Sequence, residues 1–451
     1  MTSQLSRHTL LLLISNLGGA ALSFALAALL GRGLGAAAFG IYAVALAWVY
    51  PLSLAVEFGI GTLITRDLAA EGSPQTEAAL MRGAAILRLA IGLPAMLLLI
   101  AGAPLLSADR LVVAGIQISA PLAIIVPFVS VFSAIFRARG VMWPIPALNI
   151  GMLAVQVVLT VAILLAGGGV REALAVNLLT SAGQLAVAWW IYRRRFYRPA
   201  PVQKTALHRM LRRAWPFALA GLLAAVQLRL GIILLEQLST TADAGYFSAG
   251  QRFVEAARLL PMAFYGALLP ALAALAAQPA ELERTFQRAL MALAAFGALA
   301  AIGFGLLAEP LLILIYGAAF APGAAALALL GVALAMNVVR GGRTLYWYAL
   351  GRENYVNRVN AVVCVIQLGV SLWLIPLSGA AGAAWAQLVA ELAGLLLLWR
   401  VWLGRGAHLR FHQTPVHSGT MSQPWRSMRA AISGPKKKPA NSTASCSDSN
   451  R

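Results

Sequence analysis

The sequence predicts an all-α integral membrane protein with about twelve transmembrane helices in two six-helix bundles, followed by a disordered C-terminal tail. Three observations support this fold class: few charges, long apolar segments, and an uneven distribution of basic residues between those segments. Of the 451 residues, 60% are hydrophobic and 11% are charged, and the mean hydropathy is +0.79. Because soluble domains carry about 25% charged residues, the expected solvent for this surface is a lipid bilayer.

Twelve apolar segments are candidates for membrane-spanning helices, each of which needs about 20 residues. The first six are predicted at 9–30, 39–64, 84–106, 111–135, 147–165 and 173–192. The second six are predicted at 214–235, 245–269, 289–307, 324–339, 360–375 and 381–402, and the tenth can extend towards Leu350. An even number of spans places both termini on the same side of the membrane.

The connections between these segments alternate in their content of basic residues. Every second connection is basic, and these connections contain Arg66 and Arg82, Arg137 and Arg139, the Arg-rich segment 193–213, Arg284 and Arg288, and Arg352 and Arg358. The remaining connections contain only Arg32, Arg110 and Arg171. By the positive-inside rule, we expect both termini in the cytoplasm.

The Arg-rich segment divides the chain into two sets of six helices. The predicted domains are an N-terminal bundle at 1–192, a basic cytoplasmic linker at 193–213, a C-terminal bundle at 214–403 and a disordered cytoplasmic tail at 404–451. The bundles share a weak repeat, because FGIYA at 39–43 opens the second helix and AGYFSA at 244–249 opens the eighth. Duplicated bundles are common in transporters, whose binding site lies near the midplane between the halves.

Four predicted helices contain two polar residues seven positions apart, which places both on one helix face. These pairs are Asn149 and Gln156, Asn177 and Gln184, Arg229 and Glu236, and Asn360 and Gln367. We predict that the three amide pairs line a polar cavity. The alternative, which the sequence leaves open, is that they form hydrogen bonds between helices.

Ionisable residues inside apolar segments are costly, and they often mark a substrate or ion pathway. Arg229, Arg252 and Arg258 fall within the seventh and eighth segments, where they outnumber Glu255. This excess predicts a cationic site for an anionic substrate, because guanidinium groups bind phosphate through bidentate hydrogen bonds. The alternative is that these arginines bridge helices or extend to the membrane surface.

Two further sets of residues complete the candidate sites. Arg32 and Arg66, near helix ends, are candidate substrate-pathway residues, although such positions are often interface anchors. Three acids inside apolar segments, Glu57, Glu255 and Glu391, are candidates for ion coupling, since a buried carboxylate can accept and release protons.

Several function classes lack support in the sequence. It contains no P-loop, no metal-ligand spacing and no Ser/His/Asp set at membrane depth, so we expect no cofactor, no metal site and no catalytic residue. The formal net charge of +20 could suggest nucleic-acid binding. We expect no such partner, because the basic residues lie between apolar segments and in the tail, as membrane topology requires.

The order of short motifs in the chain is similar to that of a known family. LLGRGLG at 29–35, FGIY at 39–42 and EFGIG at 57–61, followed by Arg66, resemble the start of polysaccharide biosynthesis proteins of the oligosaccharide flippase type. Glu57 occupies a position at which many members of that family carry an acid. The second half agrees through GYFSA at 245–249, Leu260 and Pro261 to Pro270, and ALGRE at 349–353. The resemblance covers about residues 1–402.

This resemblance implies a MATE-like fold within the MOP exporter superfamily, located in a bacterial plasma (inner) membrane. It implies a flippase that carries a polyprenyl-pyrophosphate-linked oligosaccharide to the outer leaflet during cell-surface polysaccharide biosynthesis. The implied partners are that lipid-linked glycan and membrane lipids, with glycan polymerase or assembly proteins as candidates. The alternatives are a multidrug-type cation exporter, which should have an acidic cavity, a membrane glycan polymerase or ligase, and a non-transporting scaffold.

Overall fold

The computed structural model of the chain describes residues 2–57, 74–195, 225–275 and 278–403, with residue 222 and isolated residues between 60 and 68. In these ranges all regular secondary structure is helical, and no strand occurs. Nine of the described segments are long and apolar enough to cross a membrane. The predicted all-α membrane class is therefore confirmed. The predicted tail at 404–451 lies outside the described residues.

The helices follow each other with short connections. The first half contains α1 (Thr2–Glu57), α2 (Pro74–Leu106), α3 (Arg110–Ser119), α4 (Leu122–Ala138), α5 (Pro144–Leu165) and α6 (Val170–Arg195). The second half contains α7 (225–238), α8 (Thr241–Ala274), α9 (Pro279–Tyr316), α10 (Ala324–Ala349) and α11 (Glu353–Leu403). A 3₁₀ helix, Ala318–Gly323, connects α9 to α10.

Two of these helices each contain two membrane spans. Helix α1 is broken at Gly35 (φ 79°, ψ 174°), between the predicted first and second spans. Helix α11 is broken at Ser378 and at Gly379 (φ 53°, ψ −126°), between the predicted eleventh and twelfth. Both glycines adopt backbone conformations with positive φ, which other residues reach only with strain. The predicted connections at these places are thus single-residue or two-residue breaks in long helices.

One predicted span is itself interrupted. The fourth consists of α3 and α4, separated by a tight turn at Ala120 and Pro121. Pro121 has no amide hydrogen to continue the α-helical hydrogen bonds, and Ala123 instead donates to the Ala120 carbonyl at 3.0 Å. If α3 and α4 count as one span and α1 and α11 as two each, the nine membrane-length segments account for eleven of the twelve predicted spans. The described part of α7, at 225–238, overlaps the remaining one, predicted at 214–235.

The surface of the bundle is apolar, as lipid requires. Large apolar side chains such as Leu98, Leu105 and Trp373 are exposed, and Leu105 reaches 91%. Such exposure would be unfavourable in water, but hydrocarbon solvates these side chains. The exposed surface therefore agrees with a multi-pass membrane protein.

The buried apolar side chains indicate where the two halves meet. We call the membrane side that carries the basic connections the basic side, and the other the opposite side. One large core combines residues of both halves, from Leu30 and Phe39 to Tyr316 and Phe320 near the opposite side. Two smaller cores lie near the basic side, each within one half. Among the described residues, the halves thus share their core in the middle and towards the opposite side.

Candidate functional site

The halves approach each other closely at a glycine contact between α1 and α8. A Cβ atom added at Gly40 would overlap the Thr241 carbonyl oxygen, and one added at Gly245 would overlap the carbonyl oxygen of Ala36. Only glycine fits at either position without moving a backbone. Gly40 and Gly245 belong to the two similar sequence segments described above, which therefore pack against each other where the halves meet.

Polar contacts close the same side of the interface. Arg32 donates from Nε to the Ile315 carbonyl at 2.7 Å and from Nη2 to the Leu314 carbonyl, near the end of α9. The Ser107 hydroxyl donates to Glu236 Oε1 at 2.6 Å. Arg32 was predicted as a pathway residue, and here it binds carbonyl oxygens of the other half near the opposite side. Its part in substrate passage stays a prediction, and Arg66 lies outside the described residues.

A cluster of charged residues lies between the halves, within the membrane-spanning helices; we call it the cationic pocket. Arg252 Nη1 donates to Glu255 Oε2 at 3.0 Å, and Arg229 Nη2 lies 4.0 Å from Glu255 Oε1. The Arg229 guanidinium carbon is 5.5 Å from the centre of the Tyr50 ring, which supplies a cation–π contact. With two arginines to one glutamate, the pocket keeps an excess positive charge.

The cationic pocket draws on both halves of the chain. Tyr42 and Tyr50 come from α1, Arg229 comes from α7, and Arg252 from α8. Arg252 Nη1 also lies 3.5 Å from the Ser23 hydroxyl on α1. The free volume here is about 20 Å³, room for about one water molecule. The side chains are nevertheless accessible, because Arg229 is 21% and Arg252 30% exposed.

The first half contains a second polar site, which we call the polar chamber. It consists of two adjoining cavities of about 420 and 360 Å³, which share Asn149, Ser181 and Gln184. Gln184 Nε2 donates to Asn149 Oδ1 at 3.1 Å, and Asn149 Nδ2 donates to the Ser15 hydroxyl at 3.3 Å. At one edge, Ser130 donates to Glu57 Oε1 at 2.6 Å.

Three of the predicted cavity residues line this chamber, while a fourth lies behind it. Asn149, Gln156 and Gln184 contribute to its wall. Asn177 is buried and donates from Nδ2 to the Tyr42 hydroxyl at 3.0 Å. The sequence left open whether these amides line a cavity or form hydrogen bonds between helices. On α5 and α6 both occur, since three of them line the chamber and Asn177 bonds to α1.

In the second half the predicted amides bond to neighbouring helices. Gln367 Nε2 donates to the Gln227 carbonyl at 3.2 Å, and Asn360 Oδ1 accepts from Arg340 Nη1 at 3.0 Å. Arg340 also forms a bidentate ion pair with Glu391, with Nε 2.6 Å from Oε2 and Nη2 3.2 Å from Oε1. Glu391, a predicted ion-coupling residue, is therefore held by a cation.

Sequence reasoning did not single out Arg340 or Arg88, two arginines of the membrane-spanning helices. Arg340 lies just beyond residue 339, within the extension of the tenth span towards Leu350 that the sequence allows, and its side chain is 12% exposed. Arg88 lies near the start of the third span and is completely buried, and its three guanidinium nitrogens have no hydrogen-bond partner in the part of the chain that the structure describes. Its position inside an apolar segment was the available signal. The Nε of Arg258 is likewise buried without a partner there.

Comparisons with solved structures identify the fold. The chain is similar to the lipid II flippase MurJ in an inward closed conformation, with a TM-score of 0.72, 14% identity, and 86% of this chain and 87% of that chain covered. It is similar to an inward-facing multidrug resistance MATE family transporter of the MOP superfamily, with a TM-score of 0.70, 16% identity, and 88% and 96% covered. It is also similar to a MOP superfamily transporter from Pyrococcus furiosus, with a TM-score of 0.61 and 16% identity. That comparison covers 88% of this chain and 96% of the other. The predicted MATE-like fold is confirmed.

Sequence comparison gives the family. No curated protein has a significantly similar sequence. The sequence profile of the family described as polysaccharide biosynthesis protein matches residues 5–276, which is more than half of the chain. The predicted resemblance is thereby confirmed, and this multi-pass membrane protein belongs to the polysaccharide biosynthesis protein family.

Proposed function

We propose that the protein is a flippase that moves a polyprenyl-pyrophosphate-linked oligosaccharide from the cytoplasmic to the outer leaflet of a bacterial inner membrane. The observation that carries this proposal is the excess positive charge of the cationic pocket, between the two halves and within the membrane-spanning helices. The family relation supports a role in polysaccharide biosynthesis. The low sequence identity to MurJ supports only the fold, so the cargo is argued from the pocket.

The chemistry of the cationic pocket suits a diphosphate. A guanidinium group has five N–H donors, and Arg252 directs only Nη1 at Glu255 and Ser23 among the described residues. The remaining donors can bind phosphate oxygens, and the single excess positive charge of Arg229 and Arg252 over Glu255 would offset one of the two negative charges of the diphosphate. A cation would instead be repelled by this pocket, which argues against a multidrug-type cation exporter.

The arrangement of the halves supports entry from the cytoplasm. The glycine contact and the Arg32 hydrogen bonds close the opposite side, whereas the smaller cores near the basic side are separate for each half. The positive-inside rule puts the basic side in the cytoplasm, together with both termini. We therefore assign this conformation to loading of the cargo from the cytoplasmic leaflet.

Transport against a gradient needs a source of free energy, and Glu57 is our candidate for ion coupling. Its carboxylate lies at the edge of the polar chamber, where water and ions can reach it, and it accepts a hydrogen bond from Ser130. Glu391 is less suited, because Arg340 occupies both of its carboxylate oxygens. Glu255 is shared between Arg229 and Arg252, and it would respond directly to a bound diphosphate.

The test measures lipid-linked oligosaccharide in cells that lack the protein. We expect this lipid to accumulate on the cytoplasmic leaflet and the wild-type gene to relieve the accumulation. Arg252→Glu should fail to do so, because it reverses a charge that the diphosphate needs, and Arg229→Ala should lower transport by more than about tenfold.

Arg110→Ala is the matched control, because Arg110 begins α3 near the opposite side, away from the cationic pocket. This variant should transport normally, and all variants must reach wild-type levels in the membrane. If the lipid does not accumulate and the cells become sensitive to cationic dyes instead, the protein is a cation exporter and the proposal fails.

A further inference from the structure

The polar chamber is lined mainly by uncharged groups that can donate and accept hydrogen bonds. Its amides and two of its hydroxyl groups belong to Asn16, Asn149, Gln156, Gln184, Ser133 and Ser181. Two charged residues, Glu57 and Arg137, also line the chamber. This composition matches the hydroxyl and acetamido groups of carbohydrates, which also combine donors with acceptors.

Several of these groups have hydrogen-bonding capacity that the protein itself does not use. Gln184 donates through Nε2 to Asn149, while its Oε1 accepts no hydrogen bond from any described residue. The Asn149 side chain is exposed, although it belongs to the membrane-spanning helix α5. Because an unsatisfied amide is costly in hydrocarbon, these groups need a polar occupant in the chamber.

The chamber adjoins the cationic pocket through a single side chain. Tyr42 lines the cationic pocket, and its hydroxyl accepts a hydrogen bond from Asn177 at 3.0 Å and lies near the Gln156 side chain. Gln156 in turn lines the chamber. On α1, Asn16 of the chamber precedes Ser23, the partner of Arg252, by seven residues, which is about 10 Å along one helix face. A ligand in the chamber that also reaches the partly exposed side chains of Arg229 and Arg252 therefore has two chemically distinct parts.

We infer that the polar chamber binds the uncharged sugars next to the pyrophosphate, while the cationic pocket binds the pyrophosphate itself. This inference rests on the proposed function. Each cavity of the chamber, at about 420 and 360 Å³, lies within the usual range of ligand sites, about 300–1,000 Å³. Glu57 and Arg137 offset each other in charge, so the chamber offers no net positive charge to a uronic acid and favours neutral or N-acetylated sugars at this position of the cargo.

The experiment measures binding of short-chain probes to the purified full-length protein in lipid nanodiscs. The probes are farnesyl diphosphate, farnesyl diphosphoryl-N-acetylglucosamine and farnesyl diphosphoryl-glucuronic acid. The wild type should bind the N-acetylglucosamine probe about tenfold more tightly than farnesyl diphosphate, the gain expected from one or two hydrogen bonds. The glucuronic acid probe should bind no more tightly than farnesyl diphosphate.

Variants separate the two sites. Gln184→Leu and Asn149→Leu should each abolish the preference for the N-acetylglucosamine probe, while affinity for farnesyl diphosphate stays within about twofold. Ser181→Ala, a milder change in the shared wall, should reduce the preference about threefold. Arg252→Ala should weaken the binding of all probes equally.

Gln117→Leu is the matched control, because Gln117 is an exposed amide of α3 that bonds to the Ile100 carbonyl outside the chamber. Thermal unfolding midpoints verify that each variant is folded.

The outcomes test sugar binding in the chamber separately from the proposed flippase function. If the wild type binds farnesyl diphosphate and its N-acetylglucosamine derivative with equal affinity, the chamber is not a sugar-binding site, and the proposed flippase function is unaffected. An unchanged preference in folded Gln184→Leu and Asn149→Leu would lead to the same conclusion. If the wild type binds no diphosphate probe, both the proposed function and this inference are overturned.

Discussion

Arg88 is the largest side chain that is fully buried in the described part of the protein. It has no hydrogen-bond partner there, burial disfavours its charge, and the Glu57 carboxylate offsets part of that cost from beyond ion-pair distance. Two opposite charges in a low-dielectric interior offset each other, and removal of one leaves the other uncompensated. Glu57 is therefore expected to stabilise the fold as well as to line the polar chamber.

This pairing predicts the effect of Glu57→Gln on stability. The substitution removes a carboxylate charge that acts on Arg88 from beyond ion-pair distance, and we expect it to lower the free energy of unfolding by about 1 kcal/mol. Arg88→Met in the same chain should restore most of that loss, because it removes the buried charge and keeps the volume. Thermal unfolding of the purified single and double variants measures both changes. Additive losses in the double variant would show that the two charges act independently.

Some residues of the candidate sites could be predicted from the sequence, and others could be found only in the folded structure. Arg229, Arg252 and Glu255 were predicted because an isolated charge in an apolar segment is itself informative, and the three-residue spacing predicted the contact between Arg252 and Glu255. The ion pair of Arg340 with Glu391 joins α10 to α11 over 51 residues of sequence. No local spacing encodes such a pair, so its partners became visible only in the folded bundle.

At the level of the helices, the crossing of α1 and α8 predicts a conformational effect. Gly245→Val adds a side chain that would overlap the Ala36 carbonyl, so the two helices cannot keep their present distance. We expect this variant to favour a state that is open on the opposite side. A cysteine at Phe320, which is fully buried in the large shared core, should then react several-fold faster with an impermeant maleimide from outside.

Gly266→Val is the matched control for this measurement. Gly266 lies on α8 as well, and a Cβ atom added there meets nothing within 4 Å. The labelling requires a background in which Cys364 and Cys446, the two cysteines of the chain, are replaced by serine. Equal labelling of the Gly245→Val and Gly266→Val variants would mean that the glycine contact does not determine which side is closed.

The helices were predicted well in number and less well in their ends. Apolar segments mark the stretch that lies in hydrocarbon, but α2 begins at Pro74 and α9 at Pro279, each ten residues before the predicted span. These extensions carry polar residues such as Glu77, which is buried and accepts a hydrogen bond from Arg139 Nε at 2.6 Å. The break at Pro121 falls at one of the prolines expected to interrupt or end helices, whereas Pro94, Pro127, Pro261 and Pro270 lie inside continuous helices. Proline is tolerated in membrane helices, so the residue type alone does not show which of these positions is interrupted.

For the whole molecule, a shared core towards the opposite side and separate cores near the basic side describe one of two states that transport requires. A carrier must also open on the opposite side to release its cargo, which requires the contacts between the halves there to separate. Arg32 with Ile315 and Ser107 with Glu236 are such contacts, and both join residues that are more than 100 positions apart in sequence. Their separation is therefore a movement of one half relative to the other.

A reversible cross-link tests whether that movement is needed. Ser107→Cys combined with Glu236→Cys, in the background without other cysteines, places one thiol on each half, where the Ser107 hydroxyl is 2.6 Å from Glu236 Oε1. A short bis-methanethiosulfonate linker added from outside should abolish transport of the lipid-linked oligosaccharide, and a reductant should restore it.

The matched pair Ser239→Cys and Asp243→Cys lies near the same side but within one half, and the native side chains are also 2.6 Å apart. Cross-linking of that pair should leave transport intact, since the halves stay free to separate. Continued transport with the Ser107 and Glu236 positions linked would mean that cargo crosses without opening of this side, and movement of one half against the other would then have to be abandoned as the mechanism.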